Sequence, residues 1–330
     1  MQSFFKKLPR YSLRLLLAYL VYIFTRGVLA YLLPRQARNL PQTDSFYGIG
    51  RGPDRAVLVE EPQDAFARRV EVIRTAQSTL DVCYHCVKSG ETTECFFAEL
   101  LRAADRGVRV RVLLDGTVGG LSGARSNIAL ALRAHPNIEY RIYNPVDLLR
   151  PWEWNALLHD KFILADDRML LLGGRNIGDE YFAPPGYEGA VTYDRDVLVL
   201  NDLAGTPDSS ESVTAQAKIY MDTLWDAPET DKFGTLSPSR RADGLAAQEY
   251  LKETAARWEA AAPSFYLPSE PASQCAVPTQ RVTLLHNPVS PFKKEPTLGA
   301  TLAQLLSGCQ KIRLQTPYAT ANPSTLAALT

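Results

Sequence analysis

Histidine is scarce in this chain, with four residues in 330, and the five cysteines (Cys83, Cys86, Cys95, Cys275, Cys309) are an odd set without a disulfide framework. Cys83 and Cys86 form a C-x-x-C around His85, yet a zinc site needs a second ligand pair, and none stands at a suitable spacing. The pair falls in the apolar run Leu80 to Val87 and reads as buried strand. No metal or other cofactor is therefore expected. Free buried thiols suit a reducing compartment, which puts the globular part on the cytoplasmic side. Net charge is also missing, since 36 basic residues balance 36 acidic ones. That argues against a dedicated nucleic-acid binder, so no nucleic-acid partner is expected. Locally, acid is what is lacking: the first 43 residues hold Lys6, Lys7, Arg10, Arg14, Arg26, Arg35 and Arg38 and no Asp or Glu.

Within that acid-free stretch, Leu13 to Leu33 is almost continuously apolar and ends at Pro34. The run is long enough to span a bilayer. Arg26 sits badly in it, because a central Arg costs about 2.5–3.5 kcal/mol on insertion scales. The run reads as an uncleaved anchor, spanning or interfacial; a signal-peptide core and a buried soluble helix are the other readings. Basic residues flank both ends, so charge does not set an orientation.

From residue 56 onward the pattern alternates. Strands are predicted at Ala56–Glu60, Thr79–Val87, Val108–Leu114 and Ile138–Tyr143, and helices at Ala65–Ala76, Thr93–Arg106 and Asn127–Ala134. Such units imply an α/β fold, a largely parallel sheet covered by helices on both faces. Further helices are predicted at Ser212–Trp225 and Ala242–Ala261. An internal echo appears at a constant offset of 232: Phe66–Cys86 and Leu298–Tyr318 share a helix–turn–strand layout. The division that follows is an anchor at 1–38, a linker at 39–55, a first repeat at 56–230, a connector with a helix at 231–280 and the start of a second, incomplete repeat at 281–330.

The chemistry concentrates in Leu157 to Asn176, "LLHDKFILADDRMLLLGGRN". Two strands, Leu157–Ala165 and Met169–Gly173, flank the turn Asp166-Asp167-Arg168. His159 and Lys161 are two apart and leave the same strand face. With the turn centred near Asp167, His159 faces position 175, which brings Gly173, Gly174 and Asn176 alongside His159 and Lys161. An imidazole, an ammonium and a carboxamide then converge where two glycines permit close approach. Imidazole is a good nucleophile for phosphorus near neutral pH. Lys161 is placed to neutralise a phosphoryl oxygen, and Asn176 to donate to developing charge. Asp166 reads equally as a turn-former, since it lies at the far end of the hairpin from His159. His85 is weighed as a site residue but favoured as core, and His135 as an exposed helix end. Trp152 and Trp154 are read as lipid-facing or core.

His159, Lys161 and Asp166, followed by Gly173-Gly174-x-Asn176, match the HKD signature, and the chain resembles the phospholipase D superfamily. The runs "GGRNIGDEYF" (Gly173–Phe182), "AADRGVRVRVLLD" (Ala103–Asp115) and "HPNIEYRIYNP" (His135–Pro145) resemble bacterial cardiolipin synthases. Arg175, Asp179 and Glu180 lie in the first of these, with structural pairing and substrate contact both open. The resemblance implies a phospholipase D-like mixed sheet flanked by helices, with the first repeat complete, the second truncated and a hydrophobic N-terminal helix added. It implies phosphatidyl transfer at a cell membrane without a cofactor. The first His attacks phosphorus to give a phosphatidyl-histidine, and a second His protonates the departing alcohol. An acid holds the nucleophile's other nitrogen, by position Asp194, with Asp196 second. Glycerophospholipids are the implied partners: phosphatidylglycerol as acceptor, with phosphatidylglycerol or phosphatidylethanolamine as donor. The departure is that no second His-x-Lys occurs in the chain. The expectation is a fragment of a longer enzyme, or a homodimer that pairs two copies of the motif. A phospholipase D or nuclease of the same superfamily, and a non-catalytic half-protein that binds anionic headgroups, are the rival readings.

Overall fold

The computed structural model describes residues 2–32, 35–38, 40–290, 292 and 294–313. Nine strands form in chain order: β1 (Asp54–Val59), β2 (Thr79–Tyr84), β3 (Arg109–Asp115), β4 (Ile138–Tyr143), β5 (Lys161–Ala165), β6 (Met169–Gly173), β7 (Asp196–Asn201), β8 (Thr230–Lys232) and β9 (Val277–Pro278). They make one sheet of order β8-β4-β3-β2-β5-β6-β7-β1-β9. The expectation of a largely parallel sheet needs correction. Only β2–β3 and β3–β4 pair parallel; the other six pairings are antiparallel. Crossover helices join β2, β3 and β4, and parallel pairing needs such connections. β5 and β6 are joined by a tight turn, which enforces the antiparallel sense.

Alternation along the strands sends side chains to two cores. Leu80, Val82, Tyr84, Ile163 and Leu171 enter the main core with Val70, Ile73, Phe97, Leu101, Ala131 and Leu251, contributed by the helices Pro62–Thr75, Glu91–Asp105, Ser126–Ala134 and Pro238–Ala261. The intervening Phe162 turns the other way, towards Tyr220 of the helix Val213–Trp225. The helix Pro238–Ala261 lies in the stretch read as connector, and it packs on Glu91–Asp105 and Ser126–Ala134. Glu259 there meets Arg74 and Arg102 across the helix faces. Gly244 has no room for a Cβ beside the Leu130 carbonyl.

Three local expectations differ from the structure. The strand expected from Leu157 starts only at Lys161, because the Leu158 main chain is engaged elsewhere, its amide by Asp115 and its carbonyl by His85. His135 is buried rather than exposed, held between Asp105 and the Asn137 amide. The helix of the internal echo forms at Thr297–Ser307, but 311–313 are not in a strand and 314 onward lies outside the described residues. Cys83 and Cys95 are buried, Cys86 and Cys275 half-buried and Cys309 exposed, all free.

The chain divides into two compact units. One comprises 44–145 and 157–284 and contains the whole sheet. The other gathers the described parts of 1–43 and 285–330 with the excursion 146–156.

In the sheet unit, Asp196 at the start of β7 is fully buried and accepts from Arg69 (3.0 Å) and Arg175 (3.1 Å) through the same oxygen. Arg69 also donates to the Tyr84 hydroxyl (3.0 Å), and Arg175 to the main-chain carbonyls of Val59 and Glu60. Burial pushes the Asp196 carboxyl up, but the two guanidiniums outweigh it and hold it below the ordinary carboxylate value. Removing one partner of a buried ion cluster strands the others. Asp196→Ala should therefore cost about 3–5 kcal/mol in denaturant unfolding. Arg195→Ala, which breaks the exposed Arg195–Glu60 pair next door, should cost no more than about 1 kcal/mol. A carboxyl with a depressed folded pKa stabilises above its unfolded value. This contribution is lost as pH falls from 3.8 through the folded value, and Asp196→Asn should flatten that acid limb.

Candidate active site

The β5–β6 hairpin builds the site. Asp166 and Asp167 both take positive φ (50° and 55°), and the Arg168 amide donates to the Ala165 carbonyl (2.8 Å), closing a tight turn within the three-residue connection Asp166-Asp167-Arg168. The ladder runs Ala165↔Met169 to Phe162↔Leu172. Extended outward, this register sets His159 across from Arg175, as the sequence predicts.

At the open end, Lys161 begins β5 with its ammonium on the His159 carbonyl (2.6 Å) and beside His159 Nδ1 (3.3 Å). Lys161 is buried, whereas His159 is exposed. Partial desolvation by its neighbours, followed by the Lys161 and His85 charges, lowers the His159 pKa below 6.5. Burial also lowers that of Lys161, despite Asp160 and Asp194 nearby. The imidazole is thus held as the free base at neutral pH.

Gly173 and Gly174 do permit a close approach, but two aspartates make it. A Cβ at Gly173 would overlap the Asp196 carboxylate, and one at Gly174 the Asp194 carboxylate. Asp194 lies at the site edge, its carboxylate accepting from the Arg195 amide (3.3 Å). The His159 nitrogen assigned to it by resemblance faces Lys161 instead. Asn176 is buried with both ends of its carboxamide held: Oδ1 accepts from the Cys86 amide (3.0 Å) and Nδ2 donates to the Tyr181 hydroxyl (3.2 Å). It clamps the end of β2 to the loop after β6, where Val87 and Ile177 form a parallel bridge.

Asp166 is not brought to this group. Five residues along β5 place it roughly 16 Å from Lys161. There it accepts from the amides of Gln77, Ser78 (2.8 Å) and Thr79 (2.7 Å), fixing the start of β2. Arg175 and Asp179 are in structural pairs. Asp179 caps the helix Glu91–Asp105 through the Thr92 amide (2.9 Å) and hydroxyl (2.6 Å). Glu180 pairs with Lys88.

His85, favoured as core from sequence, is a site neighbour. Its ring lies 4.4 Å from that of His159, centroid to centroid. Its Nδ1 lies 2.8 Å from the Leu158 carbonyl, which can only accept, so Nδ1 carries the proton and Nε2 the lone pair. The signal was a histidine directly after a buried strand that pairs with β5. Among the described residues, no group of three or more His, Cys, Asp and Glu could hold a metal ion.

Residues 70–199 match the family described as cardiolipin synthase, PLD-like domain. These residues carry a domain of the phospholipase D superfamily. It is 39% identical over 152 residues to cardiolipin synthase C of Escherichia coli, which covers 43% of this chain and 31% of that protein. An uncharacterised Helicobacter pylori protein is 39% identical over 138 residues, 38% of this chain and 27% of that one. The chain thus spans about a third or less of the length of the curated relatives it matches. Among solved structures, Nuc from Salmonella typhimurium, a phospholipase D family member, aligns with a TM-score of 0.41 and 16% identity, over 55% of this chain and all but 1% of that one. Phosphatidylserine synthase from Haemophilus influenzae aligns with a TM-score of 0.43 and 17% identity, over 66% of this chain and 46% of that one.

The superfamily motif therefore divides by distance. Asp166→Ala, which orphans three amides, should cost about 2–3 kcal/mol in denaturant unfolding. His159→Asn should leave the unfolding midpoint within about 0.5 kcal/mol. Equal losses in the two variants would count against this division.

Proposed function

We propose that the sheet unit is the first catalytic half of a phosphatidyltransferase of the cardiolipin synthase type. His159 is the nucleophile and a glycerophospholipid the donor. The observation that carries this reading is the Lys161 ammonium beside a free-base His159 in a superfamily motif. In the reaction, imidazole nitrogen bonds to phosphorus while the phosphorus–oxygen ester bond breaks. The departing alkoxide takes a proton from a general acid. The phosphatidyl-histidine then passes its group to an acceptor hydroxyl, with phosphatidylglycerol as acceptor and cardiolipin as product. Lys161 neutralises a non-bridging oxygen, Asn176 keeps the site floor rigid, and Asp194 is the acid available to the imidazole once Lys161 turns to phosphate. The apolar N-terminal helix supports a membrane location. A nuclease-type phosphodiesterase is the second reading; the shared motif chemistry favours it equally, while the lipid-enzyme relatives favour the first.

A diester with p-nitrophenolate as leaving group tests His159 without a protonated alcohol. Bis(p-nitrophenyl) phosphate should leave an acid-labile, base-stable adduct on the His159 peptide, and His159→Asn should form none. Adduct formation needs neutral His159 and charged Lys161. Its pH profile should fall on the acid side below 6.5 and on the alkaline side below 10.5. Detergent-dispersed phosphatidylglycerol should compete with this labelling, whereas single-stranded DNA should not. The reverse preference would replace the lipid reading with the nuclease one.

A further inference from the structure

The helix Gln2–Ile23 and the π turn Phe24–Leu29 that continues it are seen here with the excursion 146–156 of the same compact unit. Tyr19, Tyr22 and Arg26, spaced three and four apart, share one stripe of the helix. All three are engaged by that excursion. Tyr19 donates to the Leu148 carbonyl and Tyr22 to the Leu149 carbonyl, both at 2.7 Å. The Arg26 guanidinium stacks over the Trp152 ring at 5.3 Å. A Cβ at Gly27 would meet the Pro151 carbonyl at 3.0 Å, so backbone meets backbone there. In a regular helix Tyr31 would leave this stripe, but the slower rotation of the π turn returns it, and its hydroxyl donates to the Trp152 carbonyl. The other side of the helix is bare: Leu13 (66% exposed), Leu17 (61%), Leu20 (51%) and Phe24 (54%) form a second, apolar stripe.

We propose that this helix and the excursion lie together in the lipid–water interface of one leaflet, with the leucine stripe towards the acyl chains, and that the helix does not cross the bilayer. In a spanning helix, Tyr19 and Tyr22 would stand near mid-membrane. They would hold there an irregular backbone and Asp147, Arg150 and Glu153, which pair with one another at 3.4–3.6 Å. Hydrocarbon does not tolerate such backbone or charge at that depth. In the interface both conditions are met, and Arg26 needs no burial in lipid. Leu148 (62% exposed) and Leu149 (73%), held against the helix by their carbonyls, add apolar surface. Charge complementarity names the occupant. The first 43 residues carry seven cationic side chains and no acid, which suits an anionic leaflet rather than a second copy of the same basic segment. The proposal rests on the membrane location above and not on the reaction.

The experiment adds the purified full chain from outside to sealed vesicles of phosphatidylglycerol and phosphatidylcholine. Ser3→Cys and Gln36→Cys, each in a Cys309→Ala background, are treated with a membrane-impermeant maleimide before and after detergent. Both cysteines should label fully before detergent. Protection of one until detergent is added would establish a spanning helix and overturn the interfacial placement while keeping membrane attachment. Leu17→Glu with Leu20→Glu should lower the vesicle-bound fraction at least tenfold, and Leu148→Glu with Leu149→Glu severalfold, with melting curves unchanged. Failure to sediment with vesicles, or a concentration-dependent dimer that masks the leucine stripe, would remove the lipid partner and the membrane reading together.

Discussion

The buried carboxylate of Asp196 fixes the geometry on which the rest of the site depends. It draws Arg69 from the helix Pro62–Thr75 and Arg175 from the loop after β6 to one oxygen. Through Arg175 it also reaches the end of β1 at Val59 and Glu60. Two cations and one anion leave an excess of positive charge in the interior, and the Tyr84 hydroxyl and the main-chain carbonyls absorb it as hydrogen bonds. Each of those partners lies on a different element. The cluster therefore sets where β7, β1, the helix and the catalytic loop meet, and a shift of Asp196 would be felt by all four.

This explains the composition of Gly173-Gly174-Arg175-Asn176 without reference to a substrate. Glycine at 173 leaves room for Asp196, and at 174 for Asp194. Arginine at 175 answers the buried carboxylate, and asparagine at 176 satisfies the Cys86 amide at the end of β2. Half of the superfamily signature thus serves the scaffold and half the chemistry. Asp166 belongs with the scaffold, since its lone pairs are spent on the amides that open β2. His159 and Lys161 stand at the open end of the hairpin.

Much of this was legible in the sequence where local chemistry alone decides. The alternation of short apolar strands and helices located β1 to β6 and the long helices of the sheet unit, but not β7, β8 or β9. The turn Asp166-Asp167-Arg168, centred on Asp167, fixed the hairpin register, and a slip by one would invert every side chain. What was not legible depends on contacts far apart in the chain. Residues 157–160 read as strand by apolar pattern, yet Asp115 and His85 claim the Leu158 main chain first. His135 looks exposed at a helix end until Asp105 is known to stand beside it. The parallel sense of the sheet was overestimated because the regular βαβ units end at β4, and the next strands, β5 to β7, pair antiparallel in sequence order.

On the proposed reaction, with His159 as nucleophile, its pairing with Lys161 also bears on when that nucleophile becomes competent. An imidazole whose Nδ1 accepts from an ammonium carries its proton on Nε2, and that nitrogen then has no lone pair for phosphorus. Attack from Nε2 requires the opposite tautomer, with Nδ1 protonated and held by an acceptor. A phosphate entering the site competes for the same ammonium, and it offers a full negative charge where Nδ1 offers only a lone pair. Movement of Lys161 to the phosphate would free Nδ1 to take the proton, and a carboxylate at the site edge such as Asp194 would be its acceptor. Binding of the anionic substrate and generation of the nucleophile become one event, which keeps the histidine quiescent until a phosphoryl group is in place.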